Sequence, residues 1–443
     1  MFADADLQSI AEVIPVRQYP DGLIEAVAGI DPAIPWLYTG GLENHPDVVA
    51  AISEQRALWG NNAAVLQLVR DPTWVRDVLS EAGLPALDVF LPESRGGFDH
   101  PPTDGSWIAK PLKGAGGRGV CVWNEAAAQL SSLNDPRYFQ QHVTGDSLGA
   151  LFVASGGRTQ LIGITRQLVG LTELGAIPFA YCGSIGPVFL EESTEKMIRT
   201  IGDAIGHAAS LRGLFGCDFV LDGETPWLVE VNPRYTASTE ILELASGEPL
   251  LKWHHWACIK DELCVTGHSD FSPEGVGVDS PGRSPGFRVP TDVSAPTGRN
   301  SRTSKVLSRP VGASHQSSNI FPGLRPGLSN QSPLGPRPGC GLPPHELLQL
   351  DAVKFQSSLI GKAIVYADRE LVAPRWPVRM ATSSLSMAPF LADIPHAEST
   401  SPTGWPLCTV FATGRNSDEV LNKLIRRATR VRARFLESEP IAS

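Results

Sequence analysis

Two stretches of the chain carry residue types that could do phosphate and metal chemistry. The first is WIAKPLKGAGGRGV, residues 107 to 120, in which Gly114, Gly116 and Gly119 satisfy the pattern G-x-G-x-x-G. A dinucleotide-binding reading needs a strand before the glycines and a helix after them, because the pyrophosphate rests on that helix's N-terminus. SWIAKPL fits the strand, but the following GVCVWN is rich in β-branched and aromatic residues and alternates like a second strand. No Gly-Lys-Ser/Thr closes the pattern, so a Walker A loop is excluded as well. What remains is a hairpin with a glycine-rich tip bearing Lys113 and Arg118. Such a tip can fold over phosphates with backbone N–H groups and basic side chains as donors, with Lys110 reaching up from the first strand. An ordinary long hairpin loop with surface basic residues is the alternative.

The second stretch is GLFGCDFVLDGETPWLVEVNPR, residues 213 to 234, which reads as two strands joined by a turn around Asp222 and Gly223. A hairpin centred on Glu224 sets Asp218 directly opposite Glu230 and places Leu228, Glu230 and Asn232 on one face. Opposed carboxylates repel. A sheet accommodates them when a cation sits between them, and Mg²⁺ suits two carboxylates, an amide oxygen, water and nucleotide phosphates. Arg234 points the same way and could clamp a phosphoryl or carboxylate group. A solvated surface hairpin is the alternative, against which stand the apolar neighbours Phe215, Phe219, Val229 and Val231.

The elements that must position these residues follow from the rest of the 443-residue chain. AIPWLYTG (33 to 40) reads as a buried strand ending in Gly40 and Gly41, HPDVVAAISEQRALW (45 to 59) as the helix after it, and RDPTWVRDVLSEAG (70 to 83) as a further helix. From 106 to 232 the pattern is of strand hairpins with interspersed helices, notably 192 to 211. Residues 269 to 345 are rich in Ser, Pro and Gly, basic, and without periodicity, which predicts a disordered insertion or linker. Strands return at 359 to 371 and 407 to 415, followed by a basic helix at 418 to 436, whose charges fit a solvated face. The net charge of −10 disfavours nonspecific nucleic-acid binding, and no run of about 18 apolar residues predicts a membrane span. The acidic start MFADADLQSI has no signal-peptide character. Seven scattered cysteines without a C-x-x-C pair argue against a disulfide framework, so a reducing cytoplasm is the default. His254, Cys258, Cys264 and His268 match no zinc spacing.

Together the glycine hairpin, the middle segment FQQHVTGDSLGALFVA (139 to 154) and the closing GCDFVL…WLVEVNPR resemble the ATP-grasp superfamily, with the two acids twelve residues apart followed by N-x-R. The resemblance implies an α/β (α+β) fold class: a small N-terminal parallel-sheet domain (1–90), then an ATP-grasp core of two α+β lobes (91–268), interrupted by the disordered insertion (269–345) and closed by a C-terminal α/β part (346–443). It implies that Lys110 contacts the α/β phosphates of ATP. Lys113 and the loop of Gly114, Gly116, Gly117, Arg118 and Gly119 would cover the β/γ phosphates. Gln140 would read the adenine amino group, where relatives often carry Glu, with the backbone of Gln141 and Val143 as the hinge. Asp218, Glu230 and Asn232 would hold Mg²⁺, or Mn²⁺ in its place, and Arg234 would engage an acyl phosphate or substrate carboxylate. Thr39, Gly40, Gly41 and Arg166 would meet the substrate, although a tight turn also accounts for the glycines and a structural ion pair for Arg166.

The reaction so implied is the activation of a small-molecule carboxylate by γ-phosphoryl transfer, followed by attack of an amine, or less often a thiol, on the acyl phosphate. The alternatives are phosphorylation or carboxylation on the same fold, or an ATP-binding regulatory or scaffold protein without catalysis. The expected partners are ATP and small carboxylates and amines, with no nucleic acid and no membrane. A homodimer fits the small preceding domain, since such domains often support dimers.

Overall fold

Strand alternation and two glycine-permissive hairpins organise the molecule, which was analysed as a computed structural model describing residues 11–16, 18–92, 100–130, 136–265, 305–308, 353–376 and 390–437. The N-terminal unit holds strand β1 (Glu12–Pro15) and helices α1 (Gly22–Ala28), α2 (Pro46–Ser53), α3 (Ala63–Val69) and α4 (Pro72–Glu81). Its core is Val16, Leu23, Val27, Tyr38, Val48, Val49, Ile52 and Leu66. Asn62 starts α3 by accepting from the Val65 N–H, and Asp71 starts α4 by accepting from Thr73 and Trp74 N–H groups. Arg70 is thereby fixed at the joint between two helices.

The strand expected over 33–40 is not formed. Trp36 makes one isolated parallel bridge to Leu58, with its N–H donating to the Ala57 carbonyl and its carbonyl accepting from Trp59 N–H. Pro35, without an N–H, cannot continue that ladder. The parallel pairing of this unit lies instead between β1 and β11 (Lys305–Ser308). Apart from those four residues, the Ser/Pro/Gly-rich segment 269–345 lies outside the described residues, as do Met1 to Ile10 and His268.

A four-stranded antiparallel sheet forms the glycine lobe in the order β2 (Val89–Phe90), β5 (Arg137–Gln141), β3 (Asp104–Pro111), β4 (Cys121–Asn124), with α5 (Glu125–Leu130) after β4. The strand expected after the glycine loop is β4, and no helix stands there. Ala109, Trp123 and Phe139 make this lobe's core. Period-2 alternation on β3 then turns Ile108 and Lys110 to the opposite side.

The second sheet has eight strands in the order β10 (Thr225–Asn232), β9 (Gly213–Asp222), β6 (Asp146–Ser155), β7 (Arg158–Val169), β8 (Tyr181–Val188), β12 (Leu359–Tyr366), β16 (Pro406–Gly414), β14 (Leu391–Ala392). Two further short strands, β13 (Leu371–Val372) and β15 (Thr400–Ser401), pair with each other. Alternation on β6 sends Ala150, Phe152 and Ala154 into a core with Ile198, Ile201 and Ile205 of α6 (Glu192–Ala208). Leu151 and Val153 face α7 (Thr239–Ser246) and α8 (Leu251–Val265) through Leu242, Leu250 and Trp253. Beyond β8, α9 (Ser417–Glu437) covers the sheet with Val420, Leu424, Ala428, Val431 and Phe435. The late strands β12, β14 and β16 therefore complete a sheet begun two hundred residues earlier in the chain.

Candidate functional site

The two motifs meet across a cavity of about 690 Å³ between the sheets, within the range of small-molecule sites. The glycine loop forms its roof. Gly117, at φ 76°, lies against the other lobe so closely that a Cβ there would come within 1.7 Å of the Phe179 carbonyl oxygen, so only glycine fits. Tyr181 N–H donates to the Gly116 carbonyl at 3.1 Å, and Arg118 donates to the Gly404 carbonyl at 2.5 Å. The roof is thus latched to both β8 and a turn near the C-terminus. Gly114, Gly116, Gly117 and Arg118 line the cavity, whereas Lys113 and Gly119 do not. The Gly119 carbonyl accepts from Arg137.

On the floor, β9 and β10 pair Asp218 with Glu230 as expected, but by a different route. Thr225 pairs Asp222, so the turn is centred between Gly223 and Glu224, half a residue earlier than the sequence suggested. A β-bulge between Leu228 and Glu230 supplies the missing residue and restores the opposition of the acids. It also corrects the expected faces. Leu228 is buried in the α6 core beside Val231, and of the three expected on one face Glu230 and Asn232 line the cavity.

Burial pushes the Asp218 carboxyl up to about 7, with the Glu230 charge adding to it. Asp218 accepts from Gln167 Nε2 at 2.7 Å and from Asn232 Nδ2 at 2.9 Å. Gln167 stands on β7, and it reaches β9 across β6 because Gly149, directly opposite Asp218, has no side chain in the way. A Cβ on Gly149 would lie 3.0 Å from Gln167 Nε2. Burial also works to raise Glu230, but Arg70 and then Lys110 outweigh it and hold that carboxyl below its ordinary range. Among the described residues no group of three or more His, Cys, Asp or Glu side chains converges as in an all-protein metal site. Two opposed, half-buried carboxylates beside an amide nevertheless fit Mg²⁺, which takes few protein ligands and completes its shell with water and phosphate.

Lys110 Nζ donates to Gln140 Oε1 at 3.1 Å and to the Val229 carbonyl at 3.0 Å, tying the glycine lobe to the bulge. Gln140, only 5 % exposed, is spent on this lysine and does not line the cavity, in contrast to its expected contact with adenine. Gln141, His142 and Val143 do line it. Arg166 is likewise not in the site, since its half-exposed side chain lies 3.8 Å from Asp146 at the surface. Its neighbour Gln167 occupies the place instead. Thr39 and Gly40 line the cavity. Gly41, at φ 90°, makes the turn into the short 3₁₀ segment Leu42–Asn44.

That segment brings residues the motifs did not reveal. Arg234, 7 % exposed, donates through Nε and a terminal nitrogen to Glu43 Oε1 at 2.9 and 2.6 Å, and also to Asn232 Oδ1 at 3.2 Å. Arg70 is ion-paired with Glu230, and it donates to Asn44 Oδ1 and to the Gly114 carbonyl, each at 3.0 Å. Asn44 Nδ2 donates to the same Gly114 carbonyl. The N-terminal unit therefore supplies Glu43 to the core's arginine and Arg70 to the core's glutamate. The only sequence signal for these was the glycine pair before Leu42, because an ion pair between positions 160 residues apart leaves no local pattern.

Residues 91–238 match the ATP-grasp domain family. An uncharacterized protein of Methanocaldococcus jannaschii is 26 % identical over 145 residues, and this match spans 32 % of the present chain and about a third, 34 %, of that protein. Among solved structures, a biotin carboxylase from Campylobacter jejuni superposes with a TM-score of 0.52 at 12 % identity, over 91 % of this chain and 75 % of that one. An L-amino acid ligase from Bacillus licheniformis gives 0.53 at 11 % identity, over 93 % and 82 %. The biotin carboxylase domain of the Hydrogenobacter thermophilus 2-oxoglutarate carboxylase, bound to MgADP and bicarbonate, gives 0.52 at 12 % identity, over 94 % and 76 %. The chain has the ATP-grasp fold, and residues 91–238 carry its domain signature.

Proposed function

We propose that the protein is an ATP-dependent ligase that activates a small-molecule carboxylate as an acyl phosphate for attack by an amine, releasing ADP and phosphate. The observation that carries this reading is the convergence of Lys110, Asp218, Glu230, Asn232 and the glycine loop on one cavity. ATP lies with its adenine against the Gln141–Val143 segment and its phosphates under Gly114, Gly116 and Gly117. Lys110, anchored by Gln140, contacts them from below. Asp218, Glu230 and Asn232 would hold Mg²⁺, which when bound would supply positive charge for the transferred phosphoryl group. The chain's own residues do the rest: the latched loop excludes water, and Lys110 supplies a fixed positive charge. Arg234 acts less as a clamp on substrate than as the group that fixes Asn232, since Glu43 already takes two of its donors. Thr39, Gly40, Thr236 and Ser238 border the acceptor end and meet the carboxylate and amine.

The division at residues 90, 268 and 345 is the domain organisation proposed with it, and a cytoplasmic setting is the setting proposed for ATP chemistry of this kind. Among the described residues no helix is long and apolar enough to cross a membrane. The test is ADP release over a panel of carboxylates paired with amines. With a substrate in hand, Glu230→Gln is expected to lower turnover at least ~100-fold, the scale on which lost electrostatic stabilisation acts. Unchanged turnover in that variant would remove the metal assignment. Phosphorylated product in place of a C–N bond would redirect the reading to a kinase.

A further inference from the structure

Arg70 has no place in the reaction derived above, yet it occupies the most consequential position beside it. It comes from the N-terminal unit, at the joint of α3 and α4, and its guanidinium pairs with Glu230. A second face of the guanidinium touches the Gly114 carbonyl at the root of the glycine loop, and the side chain lines the cavity. Its Nε is buried with no hydrogen-bond partner among the described residues. A carboxylate whose oxygen accepts from a guanidinium has less to give a metal, and two cations sharing it repel.

We propose that Arg70 is an exchangeable counter-charge: it neutralises Glu230 until a divalent cation enters, then gives up the carboxylate and becomes a ligand of the nucleotide's terminal phosphates. Three observations support the exchange. The alternative partner is already in reach, because Gly114 belongs to the loop that roofs the phosphate end. Asn44 holds the guanidinium through Oδ1 at 3.0 Å while itself donating to Gly114, so Arg70 keeps its anchor when Glu230 is withdrawn. Planar guanidinium groups bind phosphate bidentately, and of the three arginines that line the cavity Arg234 is committed to Glu43 and Arg118 donates to the Gly404 carbonyl, which leaves Arg70. The device makes the N-terminal unit a working part of the phosphate site, and couples metal entry to phosphate capture. It rests on the metal reading of Asp218 and Glu230.

The test uses the full chain and reads metal binding without turnover. Mn²⁺ affinity is measured by electron paramagnetic resonance in the absence of nucleotide, for the wild type, Arg70→Gln, Arg70→Lys and Glu230→Gln. Removing the competing charge in Arg70→Gln is expected to tighten Mn²⁺ about tenfold, a screened share of the repulsion between close cations. The same variant is expected to bind a non-hydrolysable ATP analogue with Mg²⁺ about tenfold more weakly, while Arg70→Lys keeps both within a few-fold. In the wild type, phenylglyoxal modification of Arg70, mapped by mass spectrometry, is expected to speed up on adding Mn²⁺ and to slow on adding the analogue as well. This second measurement holds even where Arg70→Gln does not fold. Mn²⁺ binding that Arg70→Gln leaves unchanged or weakens, or modification that Mn²⁺ does not accelerate, overturns the exchange alone. Absence of Mn²⁺ binding in the wild type overturns the metal reading, and the exchange with it.

Discussion

The N-terminal unit meets the core along two seams of opposite chemistry. At one, the contacts are neutral. Asn61 Nδ2 donates to the Arg212 and Pro233 carbonyls at 3.0 and 2.9 Å, and its oxygen accepts from Arg212 N–H at 2.8 Å. Tyr38 Oη donates to the Asn61 carbonyl, and His254 bridges Leu214 N–H and the Trp59 carbonyl. At the other seam, the contacts include two ion pairs, Glu43 with Arg234 and Arg70 with Glu230. Every donor and acceptor of the neutral seam is matched by a group with no chemical task. The charged seam engages Glu230 and Arg234, two residues of the proposed site. One seam holds the units together, and the other tunes the site.

The sharpest way to break this comparison is at Arg234. Its pair with Glu43 is deeply buried, with Glu43 only 2 % exposed and one of its oxygens without a hydrogen-bond partner among the described residues. Removing one member leaves a buried uncompensated charge, which costs about 3–5 kcal/mol. Arg234→Met is therefore expected to lose that much in urea unfolding. The double variant Arg234→Met with Glu43→Met is expected to recover most of it, since two apolar groups replace the pair. A double variant as unstable as the single would show that the seam depends on hydrogen bonds to Arg234 rather than on charge balance.

A smaller effect is expected on the neutral seam. Asn61→Ala removes three hydrogen bonds and leaves two carbonyls and an N–H buried, a loss of about 2–3 kcal/mol. Because none of these groups faces the cavity, affinity for an ATP analogue is expected to stay within about twofold of wild type. Calorimetric titration of the folded variant checks this. A parallel collapse of affinity would merge the two seams into one.

The contrast also explains what could be read in the chain. Asp218 opposite Glu230, the strand after Gly119 and the helix at 192–208 were legible because they follow from alternation and turn chemistry within some twenty residues. The bulge at Val229 was not, since a hairpin pattern fits either register until the packing of Leu228 and Val231 on α6 selects one. Gln140 and Gln141 differ in orientation by a single strand position, and the residue type alone does not say which faces the cavity. Gly149 carries no local signal, because its role is to leave room for Gln167, a residue of the neighbouring strand. Apart from the glycine pair before Leu42, the pairings across both seams left no trace in the sequence, because their partners are far apart and of ordinary type. The Ser/Pro/Gly-rich stretch, legible only by composition, lies almost wholly outside the described residues.

The smallest expected effect is a pH dependence confined to the neutral seam. The Leu214 N–H donates to His254 Nδ1 at 2.9 Å, so Nε2 carries the proton and donates to the Trp59 carbonyl at 3.0 Å. Gly213, at φ 76°, lets the imidazole in, since a Cβ there would fall 2.5 Å from Nδ1. The ring is thus neutral, with both nitrogens engaged. Burial holds its pKa below the ordinary 6.5, outweighing the Trp59 carbonyl, which favours the charged form. The unfolded chain then takes up a proton that the folded one refuses. Stability from this group is complete above pH 6.5 and is lost as pH falls from there towards the folded pKa. The loss is expected to match about one hydrogen bond, ~1 kcal/mol. His255, also held low by burial, acts in the same direction but in both proteins, so the comparison is with His254→Gln, whose side chain cannot titrate. Urea midpoints between pH 7.5 and 5.5 should fall less steeply in that variant than in the wild type. Equal slopes would mean that protonation of His254 is tolerated in the fold, and that the neutral seam is less dependent on that one donor geometry than its hydrogen bonds imply.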